Sequence, residues 1–328
     1  MIKRLLLLVL CSFIFYGCQL DTLFGKKVTK EELKQMIENG EDVTKVDTSG
    51  ITSMRSLFYN DATFNQDISE WDVSNVTDMW HMFEGAAAFN QDISEWNTSK
   101  VINMSCMFQS APAFNQPIGG WNVSKVIYMD GMFEGAAAFN QDISEWNTSK
   151  VIDMNKMFYG AADFNQPIGA WDTSNVTDMS RMFCDAAAFN QNISGWDTSN
   201  VTGMNKMFYG AADFNQPIGS WNVSNVTDMY LMFCDAHAFN QPIGAWNVSN
   251  VIDMYFMFCD AHAFNQPIGT WNTVSVTDMR GMFWGAAAFN QDISLWKDHV
   301  TKDIRHDYFS YGSCPLIKAY HPYESWDE

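Results

Sequence analysis

Val76-Thr-Asp-Met-Trp-His-Met-Phe-Glu-Gly-Ala-Ala-Ala-Phe-Asn-Gln-Asp-Ile-Ser-Glu-Trp-Asn-Thr-Ser-Lys100 is followed at Val101 by the same phrase with few changes, and the period is 25 residues without slippage. Tryptophan falls at 71, 96, 121, 146, 171, 196, 221, 246, 271 and 296, and Phe-Asn-Gln begins at every twenty-fifth residue from Phe64 to Phe289. A fixed period of roughly 20 to 50 residues marks a solenoid, propeller or array. One such unit cannot bury its apolar side chains alone, but stacked copies can, because each position meets its equivalent above and below.

The first half of the unit has helical spacing. Val76, Met79, Met82, Phe83 and Ala86 predict one apolar face of a helix of about two to three turns. Asn75 is the expected N-cap, and Asp78 supplies an acid to the first turn. The second half predicts a short strand: Ile68, Trp71 and Val73 follow apolar-x-x-apolar-x-apolar, the strand spacing of a leucine-rich repeat. The Val73 position alternates between Val and Thr, both β-branched. Pro117, Pro167, Pro217, Pro242 and Pro267 follow Phe-Asn-Gln and mark a turn or strand entry, since proline has no donor for a ladder. Asn65, Asn90, Asn115 and their equivalents predict a ladder of amide hydrogen bonds between coils. The fold class expected is α/β, a leucine-rich-repeat-like solenoid of about ten coils, each a short strand plus a short helix, capped at both ends. At about 4.8 Å per coil the body is on the order of 50 Å long.

The units Val-Thr-Asp-Met-x-x-Met-Phe-x-x-Ala and Phe-Asn-Gln-x-Ile-x-x-Trp-Asn-Val-Ser resemble the BspA-like leucine-rich-repeat surface proteins of bacteria, most closely the branch first noted in mycoplasma and listerial lipoproteins. The resemblance covers about residues 43–296. It implies a leucine-rich-repeat-like solenoid, an exported or surface location, and a role as an adhesin or binding protein; it brings no catalytic residues.

Around the repeats the chain divides into four parts. Residues 1–18 read as an export signal of bacterial lipoprotein type: Lys3-Arg4 opens it, an apolar run follows, and Cys18 is the expected lipid attachment site, with ordinary cleavage or an uncleaved anchor as alternatives. Residues 19–42 are a tether and an N-terminal helical cap, in which Thr29-x-x-Glu32 is a capping box and Gly40 a stop. Residues 43–296 are the solenoid, and 297–328 a C-terminal cap carrying His299, His306, Cys314 and His321. The expected location is the bacterial cell surface or outer membrane, with a lipid anchor as the membrane contact.

The chain has 328 residues, 38 acidic and 19 basic, for a formal charge of −19. An acidic rod repels phosphate backbones, so nucleic acid is not an expected partner. No Ser/His/Asp arrangement, phosphate loop or paired-acid motif stands out, so neither an enzyme nor a cofactor is expected. The paired Met columns lie on the apolar face and read as core. Asp78, Asp153, Asp178, Asp228, Asp253 and Asp278 read as helix caps. Asp72, Asp172 and Asp197 read as Asx turns after Trp.

Positions that vary at a fixed place in the repeat are the informative ones, because the core does not dictate them. Cys234, His237, Cys259 and His262 lie one coil apart and form a candidate Cys2His2 metal set; a Cys234–Cys259 disulfide and plain thiols are the other readings. The residue after Phe83 and its equivalents runs Glu84, Gln109, Glu134, Tyr159, Cys184, Tyr209, Cys234, Cys259, Trp284. Tyr159, Tyr209 and Trp284 are the candidate binding face, unless this column packs against the neighbouring coil. The function expected is a non-enzymatic surface binding protein, an adhesin for a host or extracellular protein or glycan. A structural spacer without a specific ligand is the alternative.

Overall fold

A computed structural model describes residues 25–298 and 304–322. The export signal with Cys18, and His299, lie outside the described residues. The repeats stack as a solenoid: single parallel β-bridges join Ser53 to Asp78, Asp78 to Asn103, and so on in steps of 25 residues to Asp278.

Among the described residues no α-helix or named strand forms within a coil, where the helical elements are short 3-10 turns at Ile118–Gly120 and Ser294–Asp298, and this corrects the expected α/β content. The stretch Met79–Ala86 is a pair of tight turns. The Met82 N–H donates to the Met79 carbonyl and the Ala86 N–H to the Phe83 carbonyl, with φ of 54° at His81 and 72° at Gly85. A positive φ at the third of four turn residues is the type II pattern. Every coil from 51 onward repeats it, so the equivalents of His81 and of Gly85 are left-handed throughout. The remaining N–H groups do not run to residue i−4. Those of Met54, Ser56, Phe58 and Asn60 donate to the carbonyls of Asp78, Trp80, Met82 and Glu84 in the next coil, at 2.7–2.9 Å.

Two successive turns reproduce the in-and-out spacing of a helix. Met79, Met82, Phe83 and Ala86 are wholly buried, while Asp78, Trp80, His81 and Glu84 stay partly exposed. The helical reading was therefore right about burial and wrong about conformation. Asn75 and Asp78 are not helix caps. Asn75 Nδ2 donates to the Ser49 carbonyl one coil back, and the Asp78 carboxylate accepts the Trp80 N–H as an Asx turn. The expected strand at Ile68–Val73 is also a turn region, and the inter-coil pairing sits at Asp78 instead. The Asx turns after Trp are as expected: Asp72, Asp172 and Asp197 accept the N–H groups of Ser74, Ser174 and Ser199.

Columns of identical side chains make the core. Phe83 and Phe108 stack at 5.5 Å between centroids, Phe89 and Phe114 at 6.0 Å, Trp96 and Trp121 at 6.3 Å. Each Trp also donates its Nε1–H to a carbonyl of the preceding coil, from Trp71 to Val43 (2.9 Å) through to Trp296 to Ile268 (3.3 Å). The expected amide ladder is present. The Asn115 Oδ1 accepts the Asn140 N–H (3.0 Å) and the Gln141 Nε2 (2.9 Å), and the pattern recurs along the stack. These bonds let a polar strip close the turn where backbone pairing stops.

Helix α1, Lys30–Glu38, lies before the first coil with the Thr29/Glu32 capping box formed, and Lys30 Nζ reaches the Arg55 carbonyl at 2.8 Å. That carbonyl belongs to the first coil's open edge, where no preceding coil can supply a donor. At the other end the repeat does not stop at Trp296. The N–H groups of Met279, Gly281, Phe283 and Gly285 donate to the carbonyls of Arg305, Asp307, Phe309 and Tyr311, and Tyr308 (φ 58°) and Gly312 (φ 82°) take the left-handed places. A partial further coil thus continues the ladder. His306 stands in a Met position and Ser310 in a Phe position, and Ser310 Oγ meets His321 Nε2 at 3.1 Å in the interior.

Candidate functional site

The turn pair sorts each coil into inward positions, which hardly vary, and outward ones, which vary freely. The outward columns contain the equivalents of Asp78, Trp80, His81 and Glu84, and contacts between coils join them into one face. Arg55 lies over the Trp80 ring at 3.6 Å, and Lys156 pairs with Glu134 at 3.6 Å. Lys206 lies 5.6 Å from the Tyr209 ring and 5.3 Å from Tyr230, Tyr230 stacks on Tyr255, and Arg280 lies 4.6 Å over Tyr255.

Tyr159 and Tyr209 share a groove of about 470 Å³ with Glu134, Lys156, Arg181, Cys184, Asp185 and Lys206. Burial pushes the Tyr209 hydroxyl up to about 12, helped by the neighbouring Cys234 and Asp235. The Cys184 thiol beside Tyr159, then burial, raises that hydroxyl too. Both rings therefore act as neutral, flat walls. Trp284 is not part of this groove. It lies three coils beyond Tyr209 and five beyond Tyr159, where it packs with Phe256 (5.9 Å), Tyr308 (5.6 Å) and Tyr311 (5.2 Å) and forms a second, aromatic patch. The column after Phe83 alone could not show Lys156, Arg181, Lys206, Tyr230, Tyr255 or Phe256. They vary at two other fixed positions of the repeat, and that variation is the signal that finds them.

The structure does not assemble Cys234, His237, Cys259 and His262 into a metal set. The thiols are buried beneath the turns (4% and 7% exposed), while both imidazoles lie outside and stack on each other at 4.6 Å. His237 Nδ1 is 3.0 Å from the Asp260 carbonyl oxygen. Among the described residues no group of three or more His, Cys, Asp or Glu side chains is placed to hold a metal ion. The reason is side-chain length on the turn: a thiol at the position after Phe is short enough for the neighbouring coils to cover it, while larger side chains in the same column stay partly exposed and the residue three later points away. Cys234 and Cys259 are free thiols. The hydrogen bond to Cys259, then burial, raises the Cys234 thiol, and burial then Asp185 pushes Cys184 up to about 12. Thiols so raised stay protonated at neutral pH and are poor nucleophiles. No described helix is long and apolar enough to cross a membrane.

A family model described as a mycoplasma protein of unknown function, DUF285, matches residues 27–146, 129–241 and 216–313. No curated protein matches the chain. Among solved structures, a TLR13–ssRNA13 complex is similar at 9% identity and a TM-score of 0.28, over 84% of this chain and 44% of that one. An internalin (inlF) of Listeria monocytogenes is similar at 8% identity and a TM-score of 0.18, over 88% of each chain. This chain thus spans less than half the length of the TLR13 chain, and neither likeness carries an argument about it.

Proposed function

Since the chain belongs to the mycoplasma protein family of unknown function DUF285, we propose that it is a non-enzymatic binding protein of the cell exterior, an adhesin whose ligand is a host or extracellular protein or glycan. One observation carries this reading. The coils keep their inward residues nearly constant and collect aromatic and cationic side chains on one outward face, at a backbone position where side chains are costly. His81, Lys156, Arg181, Lys206, Leu231 and Phe256 all have φ between 51° and 58°, whereas Gly131 and Gly281 fill the same place in other coils. A left-handed φ costs a non-glycine residue roughly 1–2 kcal/mol. Retaining side chains there, where glycine fits, supports a use for them outside the fold.

The anchoring belongs to the same proposal: Cys18 carries a lipid that tethers the rod to the membrane. Cys18→Ser is expected to release the chain from the membrane fraction, and mass spectrometry of the native N-terminus should show an acylated Cys18. For the binding itself, the purified full chain is tested on an array of extracellular-matrix proteins and glycans. A saturable hit weakened by substituting Tyr159, Tyr209 or Trp284 supports the adhesin. Uniform failure to bind across the array turns the reading to a spacer that serves length and display.

A further inference from the structure

We infer that the groove between Tyr159 and Tyr209 is a subsite for an acidic polysaccharide, sulfated or carboxylated, read by Arg181 and Lys206. The inference rests on the outward face being the binding face. Lys156, Arg181 and Lys206 occupy the same place in three consecutive coils of a chain whose formal charge is −19. Lys156 is held by Glu134, but among the described residues neither Arg181 nor Lys206 has a carboxylate within 4.0 Å. Both are partly buried, so they carry charge in a groove that screens them less than open water does. The other acid lining the groove, Asp185, accepts from the Cys184 thiol at 3.5 Å. Lys156, Arg181 and Lys206 stand against Glu134 and Asp185, so the groove carries one net positive charge in an acidic chain, and an anion entering between the two tyrosines meets two cations with no described carboxylate within 4.0 Å.

The walls and the backbone favour a glycan over an acidic peptide. Tyr159 and Tyr209 are two coils apart, about 10 Å at the spacing of paired strands. They line the same groove as Arg181 and Lys206, with Lys206 5.6 Å from the Tyr209 ring, and an aromatic side chain with a cation beside it suits contact with a charged sugar ring. A peptide binding as an added strand needs free backbone donors. The N–H groups of Lys156, Phe158, Gly160, Arg181 and Lys206 all donate to the next coil, so recognition is left to side chains.

The test uses Arg181→Gly with Lys206→Gly. Gly131 and Gly281 occupy this position in other coils, so the double variant keeps the backbone and relieves its strain. Binding of the full chain to heparin, hyaluronate and poly-glutamate is measured at two salt concentrations, and retained melting temperature checks the fold. The expected result is saturable, salt-sensitive binding to at least one of the two glycans. The double variant should weaken it about tenfold or more, the size of one or two lost charge-assisted contacts. Alanine at Lys100, Lys125 and Lys150, a basic row in another part of the repeat, should leave it unchanged. Equal loss with the Lys100/Lys125/Lys150 variant overturns the subsite, as does poly-glutamate binding that is as tight and as sensitive to the glycine pair. Absence of binding to both glycans overturns it too. A neutral ligand found on the matrix array and lost with Tyr159 or Tyr209 would sink the polysaccharide while leaving the binding face standing.

Discussion

At Gly160 the backbone has φ of 65°, and an added Cβ would meet the Gly135 Cα at 3.7 Å and its N at 3.8 Å, both ordinary contacts. Gly160→Ala therefore isolates the cost of the left-handed turn, and it is expected to lower stability by about 1 kcal/mol in urea unfolding. The acidic column at Asp78 and its equivalents makes a second test. Burial raises the Asp253 carboxyl, and Asp278 and Asp228 one coil either side raise it further. The folded state thus favours the protonated form, so the group adds stability at acid pH that is lost as the pH rises through its raised value. Asn103 occupies this position in another coil and makes the same Asx turn, to Ser105. Asp253→Asn should keep the turn and stabilise the rod at pH 7 by about 0.5 kcal/mol, the scale of relieving like charges across a pair of strands. The gain should fade in melts taken at acid pH as Asp253 itself protonates. The sign is opposite at Asp172, Asp197 and Asp292, where hydrogen bonds from the following Ser hold the carboxyl low. Their contribution is present at neutral pH and is lost as the pH falls through their lowered values.

Within a coil, stability depends on bonds that cross to the neighbour. Trp146 is buried among its column, and its Nε1–H reaches the Ile118 carbonyl at 3.2 Å. Trp146→Phe keeps an aromatic ring but leaves a buried carbonyl without its donor and opens a small void. The expected cost is about 2–3 kcal/mol, read as a lower denaturant midpoint. The choice between helix and turn pair was decided at this scale too. Met79, Met82, Phe83 and Ala86 have the same spacing in both. The discriminating signal was present in the letters: Gly, Asn or Asp stands at nine of the ten equivalents of Gly85 (Ser110 is the exception), a run of turn residues inside an apparent helix. The Tyr-Phe-Ser-Tyr-Gly run at 308–312 likewise echoes the Met-Phe-Tyr-Gly of other coils, and it marks the added coil beyond Trp296.

For the rod as a whole, each coil touches its two neighbours, so units should be separable. Deleting residues 101–125 joins Lys100 to Val126 in register and brings equivalent columns together. The shortened chain is expected to fold with the same circular-dichroism signature per residue and a slightly lower melting temperature, and to retain whatever ligand the groove binds. Deleting residues 101–112 removes half a coil and puts Met and Phe against the polar strip, so this chain should fail to give a cooperative melt.

The sequence by itself determined the period, the stacking, the inward columns, the amide ladder and the capping box at Thr29. Each follows from a residue type recurring at a fixed interval, and a recurrence of 25 residues forces equal positions to meet. Only the tertiary structure decided the conformation within the coil, because two turns and a short helix bury the same letters and differ only in where the N–H groups go. It also decided the candidate site. Tyr159 and Tyr209 were visible as variants in one column, but their grouping with Arg181 and Lys206, and the separation of Trp284 from them, depend on which outward columns become neighbours when the coils stack. The candidate metal set is not brought together among the described residues for the same reason: adjacency by repeat number put Cys234 near Cys259 and His237 near His262, but the coils cover the short thiols and leave the imidazoles outside.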